Sequence, residues 1–230
     1  MSPILMNKFI KSILHHIVYW DYTLLVVVFF LIFIVPFFPA NIHARLYDIT
    51  ITLIYIFAAL SIGRKGKKYL VPLAVVVMLL EWLSSMLGLE LINTISKLFT
   101  IVFFILIVIN YIIGIARARE VNTEVILNAI NGYLLISIVF SILVGMIMIY
   151  DPQAFNFPVS GEVNTPIKNQ FVNYIYYSLV SITTLGYGDI VPKAPYAKSL
   201  ATLMSITGQF YIAILVALLV GKYAARQNRN

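Results

Sequence analysis

The segment Thr183–Asp189, TTLGYGD, has a glycine spacing that suits ion binding by backbone oxygens. Gly186 and Gly188 lack a Cβ atom, so both can adopt the positive φ angles that are disfavoured for other residues. Successive carbonyls of such an extended strand can then turn to one side. Four strands around one axis would stack rings of carbonyl oxygens, and Thr184 would add its hydroxyl and carbonyl to the lowest rings. These oxygens could replace the hydration shell of a potassium ion.

The residues around this segment must hold it at membrane depth. Residues 169–199, NQFVNYIYYSLVSITTLGYGDIVPKAPYAKS, are too few for two crossings and too apolar for a solvated loop. They are expected to enter the membrane and return, because irregular backbone is tolerated there only inside protein or beside a water-filled cavity. The pattern predicts a short helix over Asn169–Thr183 that ends where the glycines begin. The carbonyl end of this helix carries partial negative charge, so it would favour a cation in a water-filled cavity next to the segment.

The composition of the chain places it in a membrane. Apolar residues make up 61% of the 230 residues and charged residues 11%, and the mean hydropathy is +0.95. Soluble domains run at about 45–50% apolar and 25% charged, so a water-soluble globular domain is excluded. The absence of cysteine also excludes a disulfide framework and thiolate chemistry.

The apolar runs predict an all-α membrane protein with six transmembrane helices. About 20 residues cross the roughly 30 Å of hydrocarbon in a bilayer, and the short helix and TTLGYGD would lie between the fifth and sixth spans. The predicted spans are Tyr19–Phe38, Leu46–Ile62, Leu70–Leu87, Leu91–Ile113, Ile126–Tyr150 and Ala197–Tyr223.

The positive charges predict the orientation of these spans. The formal net charge is +7, and the basic residues lie between apolar runs, which is typical of membrane topology and not of nucleic-acid binding. Eleven of the sixteen flank predicted inner ends, namely Lys8, Lys11, the four in the run Arg64–Lys68, Arg117, Arg119, Lys222, Arg226 and Arg229. We therefore expect a multi-pass protein of the cell membrane with cytoplasmic N- and C-termini, whose inner face contacts anionic lipid headgroups.

The same pattern divides the chain into regions. Residues 1–18 are expected to form an interfacial helix or the lower extension of the first span. Asn122 or Thr123 could cap the helix that leads into the fifth span. The other regions are a four-helix peripheral domain over 19–115, a cytoplasmic linker over 116–124, a pore domain over 125–225 and a basic tail over 226–230.

The motif TTLGYGD resembles the signature of the tetrameric potassium channels, usually written T-V-G-Y-G. The aromatic-rich helix before it, the final span after it and the six-span layout are similar too. The resemblance implies a homotetramer that coordinates K⁺ through Thr184, Leu185, Gly186 and Tyr187. The residues it implies as supports of this filter are Thr183, Gly188, Asp189, Tyr176 and Tyr177, the two tyrosines standing where many relatives have an aromatic cuff.

Two positions depart from the family pattern. Leu185 replaces the commoner Val, which leaves the coordinating carbonyl in place but changes the packing behind it, so inactivation is more affected than selectivity. Val180 stands where some relatives carry a Glu that pairs with the aspartate after the filter. Asp189 must therefore find another partner or remain solvated.

The fourth span lacks the charge array of a voltage sensor. A sensor needs Arg or Lys at every third position, and stepping by three from Lys97 meets no further charge before the span ends. Strong voltage gating is therefore not expected. Lys97 and Glu81 of the third span lie at similar depth and are predicted to pair, either for packing or as residual field sensing or a modulator site.

The last span holds a candidate hinge or gate. Gly208 lies at mid-membrane depth, where it could bend the helix or permit close packing. Gln209 could bond across helices or face the cavity.

The sequence as a whole favours a potassium-selective channel that conducts passively. The alternative is a non-conducting or transporter-associated regulatory membrane subunit. Enzymatic activity is not expected, because a metalloprotease would need H-E-x-x-H, and His15 and His16 have no carboxylate at that spacing.

Overall fold

The computed structural model describes residues 19–62, 64–87, 90–118, 120–157 and 170–227. The predicted interfacial helix over 1–18, most of the loop after the fifth span and the end of the basic tail lie outside these residues. The described part is helical, joined by turns and by one isolated antiparallel bridge between Phe155 and Pro192. The all-helical fold class is therefore confirmed.

Seven helices make up the described part of the chain, and the first of them ends irregularly. Its last turns are a π-helical turn and a 3₁₀ turn that contains Pro36, which has no N–H for a regular helical bond. The helices are α1 (Tyr19–Phe37), α2 (Ala40–Ser61), α3 (Arg64–Leu87), α4 (Glu90–Arg117), α5 (Thr123–Tyr150), α6 (Phe171–Ile182) and α7 (Pro195–Gln227).

Five of the described helices are long and apolar enough to cross a membrane, namely α1, α2, α4, α5 and α7. The helix α6, with 12 residues, is too short to do so. The helix α3 has 24 residues and contains the predicted third span, but it is not among the five. The six-span layout therefore stays a prediction.

Aromatic side chains join the outer helices to the rest of the core. Tyr55 of α2 stacks on Phe104 of α4, with ring centroids 5.3 Å apart, and meets Phe103 edge-on at 5.5 Å. Tyr47 of α2 packs against Phe171 of α6, with centroids 4.2 Å apart. Most of the buried apolar side chains belong to one continuous cluster drawn from all seven helices, so α1–α4 and α5–α7 share a core within one chain.

The joint between α4 and α5 is shorter than the linker predicted over 116–124. The helix α4 continues to Arg117, and α5 begins at Thr123. The Asn122 side chain accepts a hydrogen bond from the backbone N–H of Val125 at 3.0 Å. An asparagine in this position satisfies one of the free N–H groups at a helix start. Of the two residues considered from the sequence, Asn122 is therefore the cap.

The C-terminal part of α7 is tied to the end of α4. The Lys222 ammonium donates hydrogen bonds to three main-chain carbonyls there, those of Ile115, Ala116 and Ala118. These carbonyls belong to the helix end that lacks intrahelical donors and carries partial negative charge. Lys222 therefore satisfies the end of α4 with a charge of the favourable sign.

Candidate functional site

The candidate site begins where α6 ends. The Thr183 N–H donates to the Leu179 carbonyl and the Thr184 N–H to the Ser181 carbonyl, both at 3.0 Å, so helical hydrogen bonding runs on into the motif. It stops at Thr184, whose φ angle is 58°. The helix predicted over 169–183 is thus found over Phe171–Ile182, and the glycine-containing segment follows it.

Positive φ angles recur at every second residue of the segment. They are 58° at Thr184, 57° at Gly186 and 78° at Gly188, and the expectation for the two glycines is confirmed. Thr184 was not expected among them, because a β-branched residue in this conformation is a genuine outlier. Such a residue costs about 1–2 kcal/mol and persists only where its surroundings hold it.

Contacts from two sides hold Thr184 in place. Its Oγ1 donates to the Thr183 carbonyl at 2.6 Å and accepts from the Gln209 side-chain amide of α7 at 3.1 Å. The next turn is held by the Gly186 N–H, which donates to the Val180 carbonyl at 3.2 Å. Of the two roles considered for Gln209, the structure shows a bond between α7 and the motif.

Neighbouring helices also satisfy the carbonyl end of α6. The Ser205 hydroxyl of α7 donates to the Ser181 carbonyl at 3.1 Å, and the Tyr133 hydroxyl of α5 donates to the Ile182 carbonyl at 3.2 Å. A helix end leaves its last carbonyls without intrahelical partners. The helices α5 and α7 supply these partners and so fix where the motif starts.

Gly208 of α7 packs closely against the end of α6. A Cβ atom built on Gly208 would lie 1.9 Å from the Ile182 carbonyl oxygen and 2.8 Å from its carbon. Glycine is therefore required for this backbone contact. The structure supports the close-packing role considered for Gly208, and α7 runs unbroken through this position.

The outer end of the motif is held by Tyr176. Its hydroxyl donates to Asp189 Oδ2 at 2.6 Å, and the Ile190 N–H donates to Asp189 Oδ1 at 3.0 Å. The Tyr176 hydroxyl also holds the pKa of Asp189 below its usual value, because it bonds to the charged form. Asp189 therefore has the other partner that the sequence called for in place of a Glu at Val180.

Tyr177 is buried. Its ring packs edge-on against Phe155 and Phe157, with centroids 5.1 and 6.0 Å apart. Of the two tyrosines expected to brace the filter, Tyr176 contacts the motif. Tyr177 anchors the loop that follows α5.

A second carboxylate braces the outer ends of α5 and α7. Asp151, directly after α5, accepts a hydrogen bond from the Tyr196 hydroxyl and one from the Gln153 N–H at 3.0 Å. The Tyr196 hydroxyl is the main cause that holds the pKa of Asp151 below its usual value. An acid at the end of an apolar run followed by proline was visible in the sequence, but nothing in its spacing pointed to Tyr196.

Glu81 and Lys97 lie near each other in the structure. Both line a cavity of about 30 Å³ that reaches Phe171 and Tyr174 of α6. Glu81 Oε2 accepts a hydrogen bond from the Ser96 hydroxyl at 3.0 Å. The pairing of Glu81 with Lys97 stays a prediction.

Comparison with known proteins finds a similarity for the part of the chain that contains the motif. Residues 132–224 match the model of a family described as Ion channel. This part of the chain, about two fifths of its length, is similar to ion-channel domains. It runs from α5 to α7 and includes α6 and the whole of Thr183–Asp189.

Individual proteins that are similar to a part of this chain are named as potassium channels. The chain is 31% identical over 100 residues to the A-type voltage-gated potassium channel KCND3 of Rattus norvegicus and of Homo sapiens, which is 43% of this chain and 14% of theirs. It is 30% identical over 100 residues to the potassium voltage-gated channel protein Shal of Drosophila melanogaster, covering 16% of that protein. The chain thus matches less than a fifth of the length of these relatives. No solved structure matches it.

Proposed function

We propose that the chain forms a potassium-selective pore and conducts K⁺ passively down its electrochemical gradient. The observation that carries this proposal is the alternation of positive φ angles at Thr184, Gly186 and Gly188, directly after a short helix in the part of the chain that is similar to ion-channel domains. Such an alternation turns successive carbonyls of an extended strand in one direction. The similarity to potassium channels supports K⁺ as the ion.

Coordination in this proposal uses oxygen atoms only. The carbonyls of Thr184, Leu185, Gly186 and Tyr187, with the Thr184 hydroxyl, would take the place of water around the ion. Several successive sites of this kind allow an ion to bind and still leave, since neighbouring ions repel one another. Thr183, Gly188 and Asp189 would hold the two ends of the filter.

A homotetramer follows from the geometry of a filter, since one strand per chain cannot surround an ion. The single chain leaves all of Thr183–Asp189 exposed, with 56% of Leu185 and 66% of Tyr187 accessible. The helix α7 also exposes large apolar side chains. These include Leu203, Ile206, Phe210, Ile214 and Val216. Both features support assembly around an axis beside α7.

Gating is proposed to depend little on voltage. The helix α4 carries Lys97 and Arg117 as its basic residues. One elementary charge that crosses 100 mV is worth about 2.3 kcal/mol, and a strong sensor needs three or four charges per subunit. We further propose the cell membrane as the location, with both termini cytoplasmic and anionic headgroups at the inner face.

The proposal is tested by recording the purified chain in a planar bilayer. With a K⁺ gradient opposed by Na⁺, a reversal potential near the K⁺ equilibrium value is expected. No current, or a current indifferent to the cation, would contradict the proposal and favour the regulatory-subunit alternative. Steep voltage dependence of the current would contradict the proposal that α4 carries too few charges to act as a strong voltage sensor.

A variant pair links the current to the motif. Gly186→Ala should abolish K⁺ current, because alanine rarely adopts the φ of 57° found there. Gly114→Ala is the matched control, since a Cβ atom on Gly114 meets nothing within 4 Å. Equal K⁺ currents from both variants would show that the motif backbone does not carry the ion.

A further inference from the structure

The buried acid Asp21 has no part in the filter and lies where four helices meet. It belongs to α1, in the predicted first span, and none of its surface is accessible. Its hydrogen-bond neighbourhood consists of Ser61 of α2, Tyr111 of α4 and Asn131 of α5. Acidic side chains inside membrane spans are costly and commonly mark functional sites.

A chain of hydrogen bonds leads to one side of Asp21. The Tyr111 hydroxyl donates to Ser61 Oγ at 2.9 Å, and the Ser61 hydroxyl donates to Asp21 Oδ1. From the opposite side, the Asn131 side-chain amide donates to the Asp21 main-chain carbonyl at 3.0 Å. Asp21 thus connects the helices α2 and α4 to α5.

Two acceptor atoms in this cluster lack a donor. Asp21 Oδ2 and Asn131 Oδ1 are both buried and have no hydrogen-bond partner among the described residues. Turning over the Asn131 amide would not help, because its oxygen would then face the Asp21 carbonyl. An ionised carboxylate is only an acceptor, whereas a protonated one has an O–H donor. A buried charge without a counterion is far more costly than a neutral acid.

Other ionisable groups around Asp21 do not supply the missing donor. Lys67 of α3 and Glu124 of α5 act on Asp21 at longer range and with opposite sign. Tyr111 uses its hydroxyl on Ser61, and α2 contributes only the uncharged Ser61 to the cluster. None of these groups hydrogen-bonds Asp21 Oδ2 in the described part of the chain.

We propose that Asp21 is a proton-binding site at the junction between α1 and α5. A proton from the solution forms an O–H bond at Oδ2, the carboxylate loses its negative charge, and the junction gains the donor that it lacks. Release of the proton restores a buried charged carboxylate and loosens the contact between α1 and α5.

The position of Asn131 on α5 links this proton to the candidate filter. Tyr133, two residues further on, donates to the Ile182 carbonyl at the end of α6. Gly132 lies against α7, where an added Cβ would be 2.4 Å from the Tyr211 hydroxyl. A displacement of α5 relative to Asp21 would therefore also shift its contacts with α6 and α7. This consequence rests on the proposed channel function, whereas the proton site itself does not.

Infrared spectroscopy of the full chain in lipid tests the site without any conductance. A protonated carboxyl gives a separate C=O stretching band that shifts in heavy water. We expect this band at neutral pH, its loss on alkalinisation, and its absence in Asp21→Asn. Asp48→Asn, which changes an acid of α2 outside the cluster, should keep it. Absence of an Asp21 band at every pH would overturn the proposal, even if the chain conducts K⁺.

A second variant covers the case in which Asp21→Asn does not fold. Asn131→Leu removes the amide that donates to the Asp21 main-chain carbonyl, so the C=O band should shift while it persists at neutral pH. An unshifted band would overturn the assignment to this junction.

Open probability as a function of cytoplasmic pH tests the coupling. Asp21→Asn supplies an amide donor in place of the O–H and should show the proton-bound behaviour at all pH values, whereas the wild-type chain and Asp48→Asn keep their pH dependence. The same pH dependence in Asp21→Asn as in the wild type would reject the coupling. A silent channel with the infrared band present would instead count against the proposed function alone.

Discussion

Thr184 combines an unfavourable backbone conformation with the side chain that the proposed lowest ion site would use. The motif letters alone predicted the positive φ angles of Gly186 and Gly188, because glycine permits them. They did not predict the one at Thr184, because the intrinsic preference of threonine opposes it. The contact that accounts for it comes from Gln209, 25 residues further along the chain.

Gln209→Leu should reduce selectivity. The substitution removes the amide that donates to Thr184 Oγ1, and a hydrogen bond of this kind contributes about 0.5–1.5 kcal/mol. We expect a several-fold lower ratio of K⁺ to Na⁺ permeability, measured from reversal potentials. Thr202→Ala, which removes a bond to the Lys198 carbonyl within α7, is the control. An unchanged ratio would show that Gln209 does not support the ion site.

Asp189 and Tyr176 should give the outer mouth an acid-sensitive stability. The pKa of Asp189 is lowered in the folded chain, so its contribution is complete above the ordinary aspartate pKa of about 3.9. It is lost as the pH falls through the lowered pKa. Thermal unfolding in detergent should therefore show a steeper loss of stability in acid for the wild type than for Tyr176→Phe. Tyr177→Phe leaves the hydrogen bond to Asp189 in place and should resemble the wild type. If the stability of both variants did not change as the pH falls, this assignment would be wrong.

At the scale of elements, the ends of helices were predictable where a residue type dictates them. The helix α6 was expected to end at Thr183, just before the glycine-containing segment, and ends at Ile182. Asn122 was one of two expected caps. The end of α1 was less predictable, because the sequence suggests a regular span to Phe38 while the structure has irregular turns around Pro36. The length of the joint after α4 also depends on Lys222, which is distant in sequence.

Asn122→Ala should destabilise the start of α5. Loss of the side-chain bond to the Val125 N–H removes a helix cap, which costs about 1 kcal/mol. Unfolding in denaturant should show a lower midpoint, and Asn122→Asp should restore it, since aspartate caps equally well. Equal midpoints for the alanine variant and the wild type would mean that the cap contributes nothing.

Gly208→Ala should force α7 away from α6. The added methyl group would overlap the Ile182 carbonyl, which is backbone and cannot rotate aside. Overpacking of this kind typically costs about 1–3 kcal/mol. The midpoint of unfolding should fall and K⁺ current should decrease, whereas Gly114→Ala should change neither. A Gly208→Ala variant with normal stability and current would contradict the close contact.

At the scale of the whole molecule, the contacts between α1–α4 and α5–α7 could not be read from the sequence. Charge and apolar runs indicated two membrane parts with a joint near 116–124. They carried no information on the contact of Tyr47 with Phe171 or of Asp21 with Asn131, because these residues are more than a hundred positions apart. Asp21 itself was visible as an acid in the first apolar run, yet only packing shows what surrounds it.

Lys222→Met should loosen the contact between α7 and the end of α4. The substitution removes the ammonium from the carbonyl end of α4, and a cation there contributes up to about 1 kcal/mol. We expect a lower midpoint of unfolding and an altered open probability in bilayer recordings. Lys222→Arg keeps the charge and should retain most of both properties. A methionine variant identical to the wild type in both measurements would show that this contact has no role.

The short joint after α4 has a consequence for biogenesis. Residues 118–122 can span at most about 18 Å when extended, and α1–α4 already share a core with α5–α7 of the same chain. Each newly made subunit can therefore complete its own folding before it meets another copy. In the proposed assembly, a subunit with a damaged peripheral part should keep that damage to itself, because α1–α4 pack against α5–α7 of their own chain.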